Sequence, residues 1–141
     1  KNKFMNEEPK ILFSPTFPTS CGDLSIIDST NILPFEIKRI FYVYNNPKGS
    51  RRGDHAHKKL KQYIWCLNGA IEVFNISVFG NKSNFILNQP NKGLYLPEKT
   101  WSYQINLSED SIYCVAASDF YIESDYIRNL NDFKKIIIKR K

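Results

Sequence analysis

Gly49-Ser50-Arg51-Arg52-Gly53-Asp54-His55-Ala56-His57-Lys58-Lys59-Leu60-Lys61-Gln62, running on to Gly69, is the stretch around which the chain is organised. Both histidines of the protein lie in it, two residues apart. Side chains in a strand repeat every second residue, so His55 and His57 point to one face. Arg51, Arg52, Lys58 and Lys59 flank them with positive charge. Gly49 and Gly53 permit a tight bend just before the strand. Leu60 to Leu67 reads as a buried strand that ends at the turn Asn68-Gly69. The expected object is a bent hairpin with two imidazoles and a guanidinium aimed at one place.

The spacing narrows the fold. Gly49, five residues, His55-X-His57, four residues, Gln62, six residues and Gly69 resemble the first motif of the cupin superfamily, with Gln62 where that family carries Glu. Gly93-Leu-Tyr-Leu-Pro97-Glu-Lys-Thr-Trp101-Ser102 stands in the place of the second motif, with Lys99 at its Gly and Ser102 at its His. Two of the four ligands of a metal-binding cupin are thus replaced. Two imidazoles with only Asp54 nearby make a poor divalent-metal site. The expectation is an all-β cupin jelly-roll barrel that holds no metal, needs no cofactor and uses its histidines for proton transfer.

The rest of the chain fits that architecture. Its 141 residues correspond to a single domain. Phe and Tyr are abundant, which favours strands. Short strands are expected at Ile11–Phe13, Cys21–Ile27, Phe35–Tyr44, the histidine stretch, Leu60–Leu67, Ala70–Phe79, Asn84–Leu87, Leu94–Leu96, Thr100–Ile105 and Ser111–Ala116. Pro15 and Pro18 break regularity between the first two. Turns every eight to twelve residues argue for a β-sandwich or barrel. Alternation shifts parity near Phe74, which predicts a bulge there. The only helical pattern runs over residues 124–137, capped by Ser124 or Asp125, with Ile127, Leu130, Phe133 and Ile137 near helical spacing. Residues 1–10 read as loose.

Composition sets further bounds. The net charge is +6, and part of the excess sits in Lys134-Lys135 and Lys139-Arg140-Lys141, a solvated tail. The remainder can attract an anionic ligand. No helix carries a basic face and no nucleic-acid motif occurs, so nucleic acid is not the expected partner. No stretch is apolar enough for a membrane span. Cys66 and Cys114 lie in apolar runs, and with Cys21 the count is odd; they read as reduced thiols of a cytoplasmic protein.

A closer resemblance covers residues 20 to 133. Pro34-Phe35-Glu-Ile37-Lys-Arg39, Arg52-Gly53-Asp-His55-Ala-His57-Lys-Lys-Leu60, Gly93-Leu-Tyr-Leu-Pro97 with Trp101, and Tyr121-Ile-Glu-Ser-Asp125-Tyr-Ile-Arg128 are similar to the sugar-nucleotide 3,4-ketoisomerases, RmlC-like and WxcM-like cupins without metal. Two departures stand out. Cys21 precedes Gly22 where related proteins more often carry Arg or Tyr. Phe41-Tyr42 replaces a frequent Tyr-Tyr pair, so if such a tyrosine takes part in proton transfer, either Tyr42 or Tyr44 substitutes for it here or the route differs.

The resemblance implies isomerisation of dTDP-4-keto-6-deoxyglucose by moving the carbonyl from C4 to C3 through an enediol. Such a reaction needs groups that exchange protons near neutral pH, the range of imidazole. His55 is the expected base. His57 either holds its ring or shares the proton. Arg52 stabilises the enediolate and contacts the nucleotide phosphates. Tyr44 completes the expected catalytic set. Gln62 is an inward polar residue that pairs with His57 or with substrate. Trp101 and Tyr103 share a face that is either core or a stacking surface for substrate. Arg128 is expected to pair with Asp125 or Glu123. The partners expected are the dTDP-linked sugar and a second copy of the chain, with Ile11–Phe13 as a candidate segment for exchange. A 3,5-epimerase of the same broad group and a non-catalytic sugar-nucleotide-binding cupin are the alternatives; the Asp-Tyr-Ile-Arg tail and the short length favour the isomerase.

Overall fold

The computed structural model describes residues 7–138. Its strands are β1 (Lys10–Phe13), β2 (Thr16–Thr19), β3 (Gly22–Ser25), β4 (Arg39–Val43), β5 (Arg51–His57), β6 (Gln62–Asn68), β7 (Ile71–Ile76), β8 (Lys82–Leu87), β9 (Lys92–Leu96), β10 (Trp101–Asn106), β11 (Ile112–Ala117) and β12 (Tyr126–Ile127), followed by one short helix, α1 (Leu130–Lys135). Two five-stranded antiparallel sheets, ordered β1-β9-β6-β11-β4 and β12-β5-β10-β7-β8, face each other. This is the jelly-roll barrel that the cupin spacing implies. A separate hairpin, β2-β3, stands outside both sheets.

Between the sheets lies an apolar core built on Ile64, Cys66, Ile71, Val73, Leu87, Leu94, Leu96 and Val115. β7 shows how strand periodicity makes it: Ile71, Val73 and Asn75 are buried, and the residues between them are partly exposed. The parity shift expected near Phe74 does not occur, because Asn75 is an inward-facing polar residue that breaks the apolar pattern without breaking the ladder.

Both sheets are also covered on the outside. Ile27, Ile32, Leu33, Phe35 and Ile37 pack on Tyr63, Trp65, Tyr95, Cys114 and Ala116, which explains why β6 and β11 are apolar on both faces. The strand expected over Phe35–Tyr44 therefore begins only at Arg39; its first part is this cover. On the second sheet, Phe133 of α1 is fully buried against Ala56 and Trp101. Proline does not prevent β2, since Pro18 sits in an exposed two-stranded hairpin where a missing donor costs little.

The helix expected over 124–137 is cut down. Glu123–Asp125 forms a single 3₁₀ turn, and Tyr126 and Ile127 pair with His57 and Ala56 of β5. That pairing takes the backbone groups a helix would have used. α1 then starts from Asn129, whose side chain accepts the Asp132 N–H at 3.1 Å, rather than from Ser124 or Asp125. The expectation of a loose N-terminus lies mostly outside the described residues, as does the final Lys139-Arg140-Lys141. Within them, Lys10 already belongs to β1.

Candidate active site

β5 supplies the decisive wall. Its register with β10 pairs Ser102 with His55, Tyr103 with Gly53 and Gln104 with Arg52, leaving Asp54 as an extra residue. Gly53 and Asp54 take φ values of 102° and 62° to make this bulge. The bend lies inside the strand, not before it. Without the extra residue, Arg52 and His55 would face opposite sides. With it, both line one cavity of about 190 Å³ between the sheets. A side chain at Gly53 would bring its Cβ to 2.9 Å from the Tyr103 Cα and 3.0 Å from the Ser102 carbonyl oxygen, so the bulge requires glycine there.

Gln62, Ser102, Gln104, Tyr113, Tyr126 and Arg128 also line this cavity, with Phe41, Val43, Ile64, Leu96 and Val115 as its apolar lining. His55 is half-buried. Burial pushes its pKa below the ordinary 6.5, against a raising influence from the Gly53 carbonyl. The imidazole is therefore neutral at neutral pH and able to accept a proton.

His57 sits behind it, with ring centroids 5.1 Å apart. It is 5% exposed, and burial lowers its pKa more strongly than the Asp125 carboxylate raises it. The neutral ring donates from Nδ1 to Asp125 Oδ2 at 3.1 Å. Asp125 also accepts the Lys59 N–H at 2.9 Å and the Leu60 N–H at 3.3 Å, and its backbone carbonyl accepts the Lys58 N–H at 2.8 Å. One residue thus ties the end of β5 and the following turn to the β12 side of the barrel. Tyr126 packs against both imidazoles, its ring centroid 5.0 Å from His55 and 4.3 Å from His57.

Arg128 lies over Tyr126 at 4.1 Å and forms a two-pronged ion pair with Glu123 at 2.9 Å on each prong. Of the two partners expected for it, Glu123 is the one used. The guanidinium holds the Glu123 carboxyl down at about 2.

Arg52, His55 and Gln62 thus meet in one cavity, and His57 buttresses its wall. Three other expected site residues fall elsewhere. Tyr44 projects from the end of β4 to the outside, 59% exposed and stacked on Tyr42, so neither tyrosine reaches the histidines. β4 turns Phe41 and Val43 inward instead. Trp101 and Tyr103 share a face as expected, but it is the outer face of the second sheet. Trp101 is buried against Phe133. Tyr103 is stacked on Phe74 at 4.9 Å, with the Arg51 guanidinium 3.6 Å over its ring. That guanidinium is held by Asp54 at 2.6 Å.

Tyr113, Tyr126, Gln104 and Asp125 were not among the residues expected from the sequence. Asp125 read as a helix cap. Tyr113 is hidden in an apolar run, where its only signal is sharing strand parity with Val115. Among the described residues, no group of three His, Cys, Asp or Glu side chains is gathered so as to hold a metal ion.

The comparisons agree with this geometry. The family model described as "FdtA: WxcM-like, C-terminal" matches residues 7–138. The chain is 40% identical over 133 residues to a TDP-4-oxo-6-deoxy-alpha-D-glucose-3,4-oxoisomerase from Aneurinibacillus thermoaerophilus, covering 94% of each. A 3,4-ketoisomerase from Helicobacter canadensis superposes with a TM-score of 0.86 at 35% identity, over 92% of this chain and 97% of that one. QdtA, a 3,4-ketoisomerase from Thermoanaerobacterium thermosaccharolyticum with TDP-4-keto-6-deoxyglucose bound in a variant form, gives 0.87 at 30% identity, over 94% and 96%. A bulged strand carrying His55 and Arg52 into a jelly-roll cavity, and a match over the whole described chain, place the protein in the WxcM-like FdtA family of isomerases.

Proposed function

We propose that the protein is a 3,4-ketoisomerase that converts dTDP-4-keto-6-deoxyglucose to its 3-keto isomer, with His55 as the base. The observation that carries this reading is the convergence of a neutral His55 and the Arg52 guanidinium on one cavity. His55 removes the C3 proton, which the neighbouring ketone makes acidic. Arg52 keeps its charge throughout and stabilises the enediolate oxygen. His57, fixed by Asp125, holds the His55 wall in place. Gln62 positions the sugar hydroxyls. A cavity of about 190 Å³ takes a sugar ring and little more. The nucleotide diphosphate therefore extends outward, past Arg52 and Arg128 of the cavity lining. No metal enters the scheme, and chelation should leave turnover unchanged. The 3-keto product suits later amination to a 3-amino-3,6-dideoxy sugar of a surface polysaccharide.

The protein works in the cytoplasm as a homodimer in this reading. None of the described helices is long and apolar enough to cross a membrane. Ile11–Phe13, the segment expected to be exchanged, is part of the edge strand of the first sheet, paired with β9; exchange would give that place to the partner's copy. The β2-β3 hairpin is a second candidate for the contact. Phe17 and Leu24 on it are 52% and 55% exposed, and Ile26 just beyond it is 40% exposed. Light scattering at micromolar concentration should give twice the chain mass, and a monomer would refute this part.

Incubation with dTDP-4-keto-6-deoxyglucose followed by NMR tests the activity. A new 3-keto sugar supports the reading. An epimer, or unchanged substrate, defeats it.

A further inference from the structure

Moving a carbonyl from C4 to C3 requires a hydrogen to leave C3 and another to arrive at C4. His55 accounts for the first. We infer that Tyr113 is the acid that delivers the proton to C4, with Arg52 stabilising the phenolate left behind. This rests on the proposed ketoisomerase reading.

Three observations carry it. First, few groups lining the cavity can give up a proton. Gln62 and Gln104 are amides, and Ser102 has an alcohol with no base shown against it. The phenols are Tyr113 and Tyr126. β4 contributes none, because it turns Phe41 and Val43 inward and carries Tyr42 and Tyr44 outside.

Second, Tyr113 stands on the wall opposite the base. It belongs to β11 in the first sheet, whereas His55 belongs to β5 in the second. A sugar ring between the sheets can meet the two groups at different atoms. Tyr126, by contrast, is on β12, the neighbour of β5, with its ring packed against both imidazoles.

Third, Tyr113 is only 3% exposed and lines the same cavity as Arg52, whose charge acts on its hydroxyl. Burial raises the proton affinity of the phenol, and the Arg52 charge pulls it back. That cation lowers the cost of transient proton loss from a buried phenol.

The step balances without any redox partner. His55 takes the C3 hydrogen as a proton, and its electron pair forms the C3–C4 double bond as O4 gains charge. That pair then closes a bond from C4 to the Tyr113 proton as the phenolic O–H breaks. The O3 proton passes to O4, and O3 becomes the carbonyl. The proton on His55 returns to the Tyr113 phenolate through solvent.

Tyr113→Phe separates the two half-reactions, because it removes one oxygen and keeps the ring. In heavy water, with dTDP-4-keto-6-deoxyglucose as substrate, wild type should form the 3-keto isomer. Tyr113→Phe should lose about a hundredfold to ten-thousandfold in product formation. It should still wash deuterium into C3 of recovered substrate, because His55 is intact. Turnover within about threefold of wild type overturns the assignment. So does loss of C3 exchange together with turnover, which would place the effect of Tyr113 before the enediolate. The same split in Tyr126→Phe, with Tyr113→Phe near wild type, moves the role to Tyr126. A wild type that neither isomerises nor exchanges defeats the ketoisomerase reading itself, and that result is distinct from the other three.

Discussion

His57 and Asp125 are 68 residues apart in the chain and 3.1 Å apart in space, and through that bond the C-terminal segment sets the orientation of the histidine strand. Asp125→Asn would keep an acceptor for the Lys59 N–H but offer an amide where a carboxylate oxygen now serves His57 and Leu60. Leaving such buried groups unpaired costs about 1–3 kcal/mol. The melting temperature should fall by several degrees, and kcat should fall without a matching rise in KM. Unfolding scans and steady-state kinetics on one preparation check both. Unchanged values would show that the bond does not position His57.

Stability should depend on pH through the two histidines. Burial holds both folded-state pKa values below the unfolded value of about 6.5. The unfolded chain therefore binds more protons than the folded one as pH falls below that value. The stabilisation is fully present above the unfolded pKa, and it is lost as pH falls from there towards the lower folded values. Denaturant midpoints should be level from pH 8 to 7 and lower at pH 5. The acid limb of kcat/KM should likewise lie below 6.5, because the base must be neutral. A limb above 6.5 would contradict a buried, neutral His55.

His55→Asn keeps polarity and approximate size but removes the base. Turnover should drop about a hundredfold to ten-thousandfold, and deuterium should no longer wash into the sugar at C3 or C4. If His57→Asn abolishes exchange while His55→Asn exchanges at the wild-type rate, the two roles are reversed. Arg52→Lys keeps a charge but loses the forked donor geometry, so turnover should fall more than nucleotide affinity. Titration calorimetry with dTDP, set beside kinetics, separates the two.

Gly53→Ala and Gly49→Ala make a graded pair. Both glycines have positive φ, 102° and 87°. Only Gly53 lacks room, since nothing lies within 4 Å of a Cβ at Gly49. Gly49→Ala should cost about 1 kcal/mol from conformation alone. Gly53→Ala should cost clearly more and should also lower turnover, because the clash with β10 disturbs the bulge between Arg52 and His55. Equal melting temperatures for the two variants would refute the steric argument.

The sequence was most legible where one side of a strand differs chemically from the other. His55 and His57 share a face as period two demands, and the turns and most strands fall where Gly, Asn and Pro put them. It was least legible where both faces are apolar. In β4, Ile40 and Tyr42 are exposed while Phe41 and Val43 point inward, and hydrophobicity alone cannot rank those sets. The same ambiguity hides the outward side of Tyr44 and the inward side of Tyr113. Period two pairs Trp101 with Tyr103 on one face, and only the register with β7 and β5 decides which face that is. Ile127 satisfies a helical period and so lengthens the helix the pattern predicts, yet its backbone is taken by β5.

The bulge at Gly53 and Asp54 also acts as a change of phase in the strand. If it were ironed out, with Asp54 opposite Tyr103, every residue before it would exchange sides. Arg52 would turn to solvent, and Arg51 would turn into the barrel. The cavity would still receive a guanidinium, because the arginines stand in tandem, whereas His55 lies beyond the slip and stays where it is. A slipped ladder at this point would therefore lose aim before it lost charge.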